Sequence, residues 1–272
     1  MSDEVVWITG GGSGIGRGIA LEYARRGARV AVSGRRADKL REVTAAIDAA
    51  GGKGLAVPCD VTDEQQVRAA AAAVVEAFGQ LDVAIANAGF SVSGPIERLS
   101  AEDWRRQLDV NVVGAAITAS AALPELRKTH GRLGLVGSVA GFVATPGSGA
   151  YSTSKFAVRA IALTLAQELN GSGVSVTGIH PGFVESDIAR VDNEGVFHED
   201  RKDKRPAKLM WKTGDAARVC VKAMDARKRE FVFTGHGKLG AFLGQHFPGL
   251  VHFVITRFGQ KQAKPYMDGE RA

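Results

Sequence analysis

The stretch VVWITGGGSGIG, residues 5–16, decides the fold of this chain. Residues 5–9 are β-branched or aromatic and mostly apolar, which is typical of a buried strand. The glycines that follow allow a tight turn and a close backbone approach to a phosphate, and the next helix would point its positive N-terminus there. The spacing Gly-x-x-x-Gly-x-Gly leaves a plain tight turn as the alternative. We predict a pyrophosphate site whose residues are Gly10, Gly12, Ser13, Gly14, Ile15 and Gly16.

Outward from this turn, short apolar runs alternate with helical stretches. The runs are continuous rather than alternating, which indicates strands buried on both faces of a parallel sheet. We therefore predict one doubly wound, Rossmann-type α/β domain over residues 1–272, with a seven-stranded parallel sheet and helices on both faces. The strands are expected at residues 5–9, 29–33, 54–58, 81–86, 133–137, 174–179 and 231–234, and the helices at 15–26, 38–50, 64–78, 101–128, 150–170 and 215–227.

Two segments break this alternation. Residues 185–213 are polar, charged and poorly periodic, and they follow a strand on the side where ligands bind, so we interpret them as a mobile insertion that forms a substrate lid. Residues 235–258 are apolar and aromatic but interrupted by polar residues, which predicts a C-terminal extension of two short helices hinged at Pro248. Packing on the core, a subunit interface and weak membrane-surface association are its three alternatives.

Composition excludes several classes of protein. The net charge is +6, but the basic residues are dispersed, which favours an anionic cofactor over nucleic acid. Cys59 and Cys220 are far apart in apolar contexts, which indicates free thiols and no metal site. Neither a secretory signal nor an apolar run of membrane-spanning length is found, so we expect a cytoplasmic protein.

The end of the second strand bears on cofactor choice. An NAD site usually has an acidic residue here, for the ribose 2′-hydroxyl. Residues 29–37 contain none, and Ser33 is followed by Gly34, Arg35 and Arg36. A guanidinium suits a 2′-phosphate through charge-assisted bonds, so we predict NADP(H), with NAD(H) as the alternative. Adenine stacking or a solvent-facing Arg35 are the other interpretations.

Three residues suggest proton-transfer chemistry: Ser138, Tyr151 and Lys155. A tyrosine hydroxyl has an ordinary pKa near about 10, and a cation one helical turn away is expected to lower that pKa. A serine hydroxyl nearby could hold the oxygen that gains or loses the proton. An exposed i,i+4 helix pair is the alternative for Tyr151 and Lys155 alone.

Taken together, these residues resemble the short-chain dehydrogenase/reductase family over roughly residues 5–233. The match also includes Asp60-Val61, Asn87-Ala88-Gly89, Asn111 and Pro181-Gly182, each at the family's order and spacing. Two departures are Ser186, where the family often has threonine, and the lack of a basic residue in the glycine turn, which weakens the case for NADP.

The resemblance implies a role for each matched residue. Tyr151 would be the general acid in carbonyl reduction, Lys155 would hold the nicotinamide ribose, Ser138 would bind the substrate oxygen, and Asn111 would complete a proton relay. Alternatives are a helix cap for Asp60 and a buried backbone-bonding role for Asn111. The cofactor cleft would also include Asp60, Val61, Asn87, Ala88, Gly89, Pro181, Gly182, Val184 and Ser186.

The side chains expected around the site indicate a class of substrate. Apolar residues beside the expected site favour a bulky hydrophobic carbonyl compound or secondary alcohol. A non-catalytic NAD(P)H-sensing protein with the same fold is the alternative function. The resemblance also implies a homodimer or homotetramer. The predicted pocket residues are Phe90, Val92, Phe142, Val143 and Phe183, with the segment around Phe242 as a further candidate.

Overall fold

A seven-stranded parallel sheet forms the centre of the molecule. The computed structural model describes residues 3–203 and 205–258. Every strand pairing is parallel, and the strand order is β3-β2-β1-β4-β5-β6-β7. The predicted sheet is therefore confirmed, with strand ends within two residues of those expected. The strands are β1 Val5–Thr9, β2 Arg29–Gly34, β3 Lys53–Pro58, β4 Val83–Ala86, β5 Arg132–Val136, β6 Ser175–His180 and β7 Glu230–Val232.

Helices cover both faces of the sheet. Neighbouring side chains of β1 show why the apolar runs are continuous, since Trp7 packs into one buried cluster and Ile8 into the other. The first cluster lies under α3, α5 and α6, and the second lies under α1, α2 and α7. The helices are α1 Gly14–Arg25, α2 Ala37–Ala49, α3 Glu64–Phe78, α4 Ala101–Leu108, α5 Gly114–Thr129, α6 Gly149–Glu168, α7 Thr213–Asp225, α8 Gly235–His246 and α9 Pro248–Phe258.

The strand order reverses at the centre of the sheet. From β1 the chain proceeds outward to β2 and β3, and then crosses back to place β4 on the other side of β1. In doubly wound sheets, ligands bind in the crevice beyond the carboxyl ends of the strands at such a switch point. The glycine turn that follows β1 lies at this crevice.

The helical stretch predicted over residues 101–128 is present, but it is not a regular α-helix throughout. A π-helical turn, Asp109–Val113, separates α4 from α5. Asn111 lies within this turn, is 1% exposed, and bonds the backbone of the loop after β4. The apolar periodicity of the sequence does not predict such a turn. A π-helical turn contains one residue more than an α-helical turn, and here tertiary hydrogen bonds to Asn111 accompany it. Turns of this kind are frequent at functional sites.

The two irregular segments have different structures. The 185–213 insertion contains two short 3₁₀ helices, Asp187–Arg190 and Ala207–Leu209, and it bonds to the loop after β4 through Asn193 and Ser93. The C-terminal extension forms two helices, α8 and α9, with Pro248 as the first residue of the second, as predicted. Among the helices of residues 3–203 and 205–258, none combines the length and apolarity needed to cross a bilayer.

Candidate active site

The glycine turn is packed too closely for side chains at two positions. Gly10 has φ +66°, and a Cβ on it would lie 2.7 Å from the Ala88 Cα atom. A Cβ on Gly16 would lie 2.4 Å from the side-chain nitrogen of Asn87. That nitrogen donates to the carbonyl oxygens of Thr9 and Gly10, at 3.0 Å each. Asn87 therefore joins the ends of β1 and β4 and holds the turn in shape.

The N-terminus of α1 faces this turn without a side-chain cap. Ser13 is the N-cap residue, and within the described part of the chain its hydroxyl makes no capping bond to α1. The first turn of α1 contains no acidic residue. Free N–H groups and an uncompensated positive dipole end form an anion site. The residues present therefore fit a pyrophosphate.

Two arginines lie at the neighbouring edge of the crevice. The Arg36 guanidinium is 3.5 Å from the Ser13 hydroxyl and 5.7 Å from the centre of the Phe197 ring. Arg35 donates to the Gly195 carbonyl at 3.3 Å. The insertion thus reaches over the end of β2. Ser33, in contrast, is fully buried, and its hydroxyl accepts a bond from the Trp7 indole at 2.9 Å. Its side chain is engaged inside the sheet, not in the cleft.

The loop after β3 contains Asp60, for which the sequence left two roles open: a helix cap and a part of the cofactor cleft. Asp63 caps α3, since its carboxylate accepts from the backbone N–H groups of Gln65 and Gln66 at 2.9 and 3.1 Å. The Asp60 carboxylate instead accepts from the N–H and hydroxyl groups of Thr62. The helix-cap interpretation of Asp60 is therefore wrong. Val61 beside it is buried, and the adenine role of this pair stays a prediction.

Ser138, Tyr151 and Lys155 come together at the carboxyl end of β5. Ser138 begins a short 3₁₀ turn, Val139–Gly141, and its side chain lies close enough to the Tyr151 hydroxyl to lower the pKa of that phenol. The Lys155 ammonium lies 5.7 Å from the centre of the Tyr151 ring. Lys155 is buried, with only 4% of its surface exposed. Its ammonium group donates a hydrogen bond to the Val136 carbonyl at 2.9 Å. The alternative of an exposed i,i+4 helix pair is wrong, because Lys155 is buried.

The acidity of the phenol differs from the sequence prediction. Burial raises the pKa of Tyr151, while the nearby Ser138 side chain and the charge of Arg205 lower it. Burial also lowers the pKa of Lys155 from 10.5 to about 8. For Tyr151, burial outweighs the Ser138 hydroxyl and the Arg205 charge, so the net pKa shift is upward, opposite to the one that the Tyr-x-x-x-Lys spacing predicts. Sequence spacing shows which groups are neighbours but not how far they are removed from water.

Asn111 and Lys155 both lie close to Gly89. A Cβ on Gly89 would be 3.0 Å from the Asn111 side-chain oxygen and 3.7 Å from the Lys155 nitrogen. The Asn111 amide bonds to both backbone groups of Phe90 and to the Ser154 hydroxyl, all at 3.0 Å. Asn111 thus secures the loop that lies beside Lys155. Its role in a proton relay stays a prediction.

The loop after β6 completes the crevice. The Pro181 carbonyl accepts a hydrogen bond from the Val139 N–H group at 2.9 Å. Gly182 packs against the Thr234 hydroxyl, and a Cβ atom added to Gly182 would lie 2.2 Å from that oxygen. Val184 is buried, and its carbonyl, like that of Ser186, accepts from the Arg205 guanidinium. The loop therefore brings a positive charge from the insertion to the site.

Arg205 is the functional candidate that sequence reasoning missed. The guanidinium contacts the Val184 carbonyl at 3.1 Å, the Ser186 carbonyl at 3.2 Å and Asp203 at 2.7 Å. Its charge also reaches Tyr151. It lies in a basic stretch of an irregular segment, where several arginines and lysines are equivalent by pattern. The packing of the insertion against the loop after β6 distinguishes it from them.

The predicted pocket residues do not form one wall. Val92 is 0% exposed and packs with Ala150 and the buried Phe90, so it lies behind the cleft surface. The Phe142 ring lies 4.0 Å from the Arg159 guanidinium and meets His180 edge-on. The Phe183 ring stacks on His236 at 5.2 Å. Val143 and Phe142 instead line a cavity of about 180 Å³ against α9.

Fold and site together define a dinucleotide-dependent oxidoreductase, and comparisons with known proteins agree with this class. Residues 4–197 match the family described as short chain dehydrogenase. An uncharacterized oxidoreductase of Staphylococcus aureus strain N315 is 38% identical over 207 residues, which cover 76% of this chain and 87% of that protein. The chain belongs to the short-chain dehydrogenase/reductase family and is an NAD(P)-dependent dehydrogenase or reductase.

Two solved structures are similar over most of their length. An alcohol dehydrogenase of Thermococcus sibiricus, complexed with 5-hydroxy-NADP, is 27% identical with a TM-score of 0.74, covering 85% of this chain and 96% of that one. A short-chain dehydrogenase/reductase of Burkholderia phymatum in complex with NAD is 26% identical with a TM-score of 0.77, covering 97% and 95%. The two cofactors differ, so the similarity leaves the choice between NADP and NAD to this chain's own residues.

Proposed function

We propose that this protein transfers a hydride between NADP(H) and a hydrophobic carbonyl compound or secondary alcohol, with Tyr151 as the general acid and base. The observation that carries the proposal is the convergence of Ser138, Tyr151 and Lys155 beside the crevice that the glycine turn opens. Helix geometry alone places Tyr151 beside Lys155, but it does not explain why Ser138, at the end of β5, meets the same phenol at the crevice.

Each residue has a role that follows from its environment. When bound, the nicotinamide supplies or accepts the hydride. Tyr151 gives its proton to the carbonyl oxygen in reduction and takes it back in oxidation. A phenol of ordinary pKa already carries its proton at neutral pH, and burial raises the pKa of Tyr151 further, which favours the acid role. The Ser138 hydroxyl stabilises the developing charge on the substrate oxygen, and the buried Lys155 amine binds the ribose hydroxyls.

The preference for NADP(H) is supported by the arginines at the end of β2. Arg36 and the Ser13 hydroxyl lie close enough to share one phosphate. Arg35, the preceding residue, extends from the same end of β2 and donates to the Gly195 carbonyl. No carboxylate occupies residues 29–37 to hold a ribose 2′-hydroxyl. The 2′-phosphate of NADP accepts charge-assisted hydrogen bonds from guanidinium groups. The 2′-hydroxyl of NAD carries no charge and forms weaker bonds with them.

Side chains near the site and one surface groove support a substrate class and an assembly. Aromatic side chains near the site, including Phe183, favour an apolar substrate. A groove of about 500 Å³ between α5 and α6 contains Leu123 and Ile161 and could receive the same helices of a second copy, as expected for a homodimer or homotetramer. Cys59 and Cys220 are both buried free thiols, which supports a reducing compartment such as the cytoplasm.

The test compares Tyr151→Phe with Thr153→Ala, an exposed position two residues along the same helix. Purified proteins are incubated with NADPH and a panel of hydrophobic ketones and aldehydes, and loss of NADPH absorbance is followed. We expect Tyr151→Phe to lower kcat by roughly 10²–10⁴-fold, the usual contribution of a general acid. NADPH binding, measured by thermal shift, should persist in both variants.

Two outcomes would contradict the proposal. Near-normal turnover in Tyr151→Phe would remove Tyr151 from the chemistry. Binding of NADPH by the unmodified protein without turnover of any substrate in the panel would favour the NADPH-sensing alternative.

A further inference from the structure

The C-terminal extension presents an apolar surface that the rest of the fold leaves uncovered. More than half of the exposed large apolar side chains among the described residues belong to it. Its phenylalanines Phe242, Phe247, Phe253 and Phe258 are 54%, 50%, 59% and 68% exposed. None of the described residues of α9 is buried. Contiguous exposed surfaces of this kind mark interaction sites.

The apolar residues are arranged by face. Val251 and Ile255 line the inner side of α9, where they border the cavity shared with Val143. The outer side carries Phe253 and Val254 one turn beyond Leu250, which is 51% exposed. The fold therefore uses only the inner side of α9 for packing.

The same segment has an unusual charge pattern. Between Glu230 and Asp268 the sequence contains no carboxylate, although the chain has 29 Asp and Glu residues in total. Lys238 and Arg257 lie at the two ends of the extension and are exposed, and Lys261 and Lys264 follow in the sequence. An apolar, aromatic helix pair with cationic flanks and no anionic group is complementary to an anionic lipid surface.

We propose that the outer face of α8 and α9 docks on the surface of an anionic lipid bilayer, with Phe253 and Phe258 entering the headgroup region. The helices lie along the bilayer and do not cross it. A second copy of this chain is a poorer occupant, because a twofold contact through this face would bring its cationic ends together without carboxylates to neutralise them.

The position of the extension relates docking to the proposed chemistry. The cavity beneath α9 is shared with Phe142 and Val143, four and five residues after Ser138. At the start of α8, His236 stacks on Phe183 beside the crevice. Docking would hold the catalytic loop close to the lipid boundary, where hydrophobic carbonyl compounds concentrate.

The experiment is co-sedimentation of the full chain with vesicles of phosphatidylcholine alone and of phosphatidylcholine mixed with phosphatidylglycerol. We expect binding to the anionic vesicles only, weakened by salt because part of the attraction is electrostatic. The double variant Phe253→Asp with Phe258→Asp should bind at least about 10-fold less, since it places two anions in the apolar face. Lys238→Glu with Arg257→Glu should lose the preference for anionic vesicles.

Controls separate docking from misfolding and from self-association. Ile96→Asp changes an apolar residue that is 63% exposed outside the extension, and it should leave vesicle binding unchanged. Thermal unfolding and light-scattering mass are measured for every variant. The proposal is overturned if the unmodified protein fails to sediment with anionic vesicles, or if the Phe253 and Phe258 variant sediments normally. It is also overturned if that variant lowers the oligomer mass while no form of the protein binds lipid, because the face is then a subunit contact.

Discussion

Replacing Lys155 with methionine is expected to stabilise the folded protein at neutral pH while abolishing its proposed activity. Lys155 is buried beneath the site, and burial lowers its pKa from 10.5 to about 8. Keeping this amine charged at pH 7 therefore costs the folded state about 3 kcal/mol relative to the unfolded chain. Methionine has a similar stem and carries no charge, so the cost disappears in the variant.

The net gain is smaller than the cost that is removed. The amine donates to the Val136 carbonyl at 2.9 Å, and losing this bond costs about 1 kcal/mol. Lys155→Met should therefore be more stable than the unmodified protein by about 2 kcal/mol near pH 7.

The dependence on pH provides the sharper part of the prediction. A lysine whose folded pKa is lowered binds fewer protons in the folded state between its two pKa values. Stability of the unmodified protein consequently rises as pH increases from about 8 to 10.5. The advantage of Lys155→Met should shrink to less than about 0.5 kcal/mol near about pH 9.5.

The assay is urea unfolding of both proteins at neutral and alkaline pH, with the difference in unfolding free energy as the readout. Other titrating groups cancel in that difference because both proteins contain them. Lys222→Met, which removes an exposed lysine of α7, is the matched control and should show little difference at either pH. A destabilised Lys155→Met, or a difference that does not change with pH, would refute the reasoning.

Two further predictions concern the arginines around the crevice. Arg35→Ala should weaken NADPH binding by roughly 10–100-fold, which corresponds to the loss of one charge-assisted hydrogen bond, and should weaken NADH binding far less. Binding is measured by titration with each cofactor, and equal losses would contradict a role of Arg35 in binding the 2′-phosphate. Arg205→Gln should move the rise of the alcohol-oxidation rate to higher pH, because the Arg205 charge lowers the pKa of Tyr151 and the phenolate is the base. Arg205→Lys keeps the charge and should keep the profile in pH–rate measurements, whereas an identical profile in Arg205→Gln would exclude this electrostatic role.

Local pattern was sufficient for the framework of the molecule. Continuous apolar runs such as residues 5–9 predicted strands buried on both faces, and Trp7 and Ile8 do enter opposite clusters. The glycine turn was readable because its requirements are local, namely a positive φ at Gly10 and close backbone packing. The order of the motifs predicted that Ser138, Tyr151 and Lys155 would meet, since Ser138 follows β5 and the other two lie in the first two turns of the next α-helix.

The environments of these groups depended on tertiary structure. Burial raises the pKa of Tyr151 and lowers that of Lys155. The i,i+4 spacing alone had predicted a lowered pKa for Tyr151. The π-helical turn around Asn111 exists because a loop from β4 supplies partners for its amide.

From its sequence alone, this protein was determined to be a doubly wound α/β oxidoreductase with a glycine turn and a serine, tyrosine and lysine site. Only the tertiary structure decided that Arg205 reaches the site, that Ser33 and Val92 are buried away from it, and that the outer face of α9 is exposed. The physical reason is that periodicity and turn chemistry act between near neighbours in sequence. Desolvation, long-range charge and the exposure of a helix face depend on distant segments that pack against each residue.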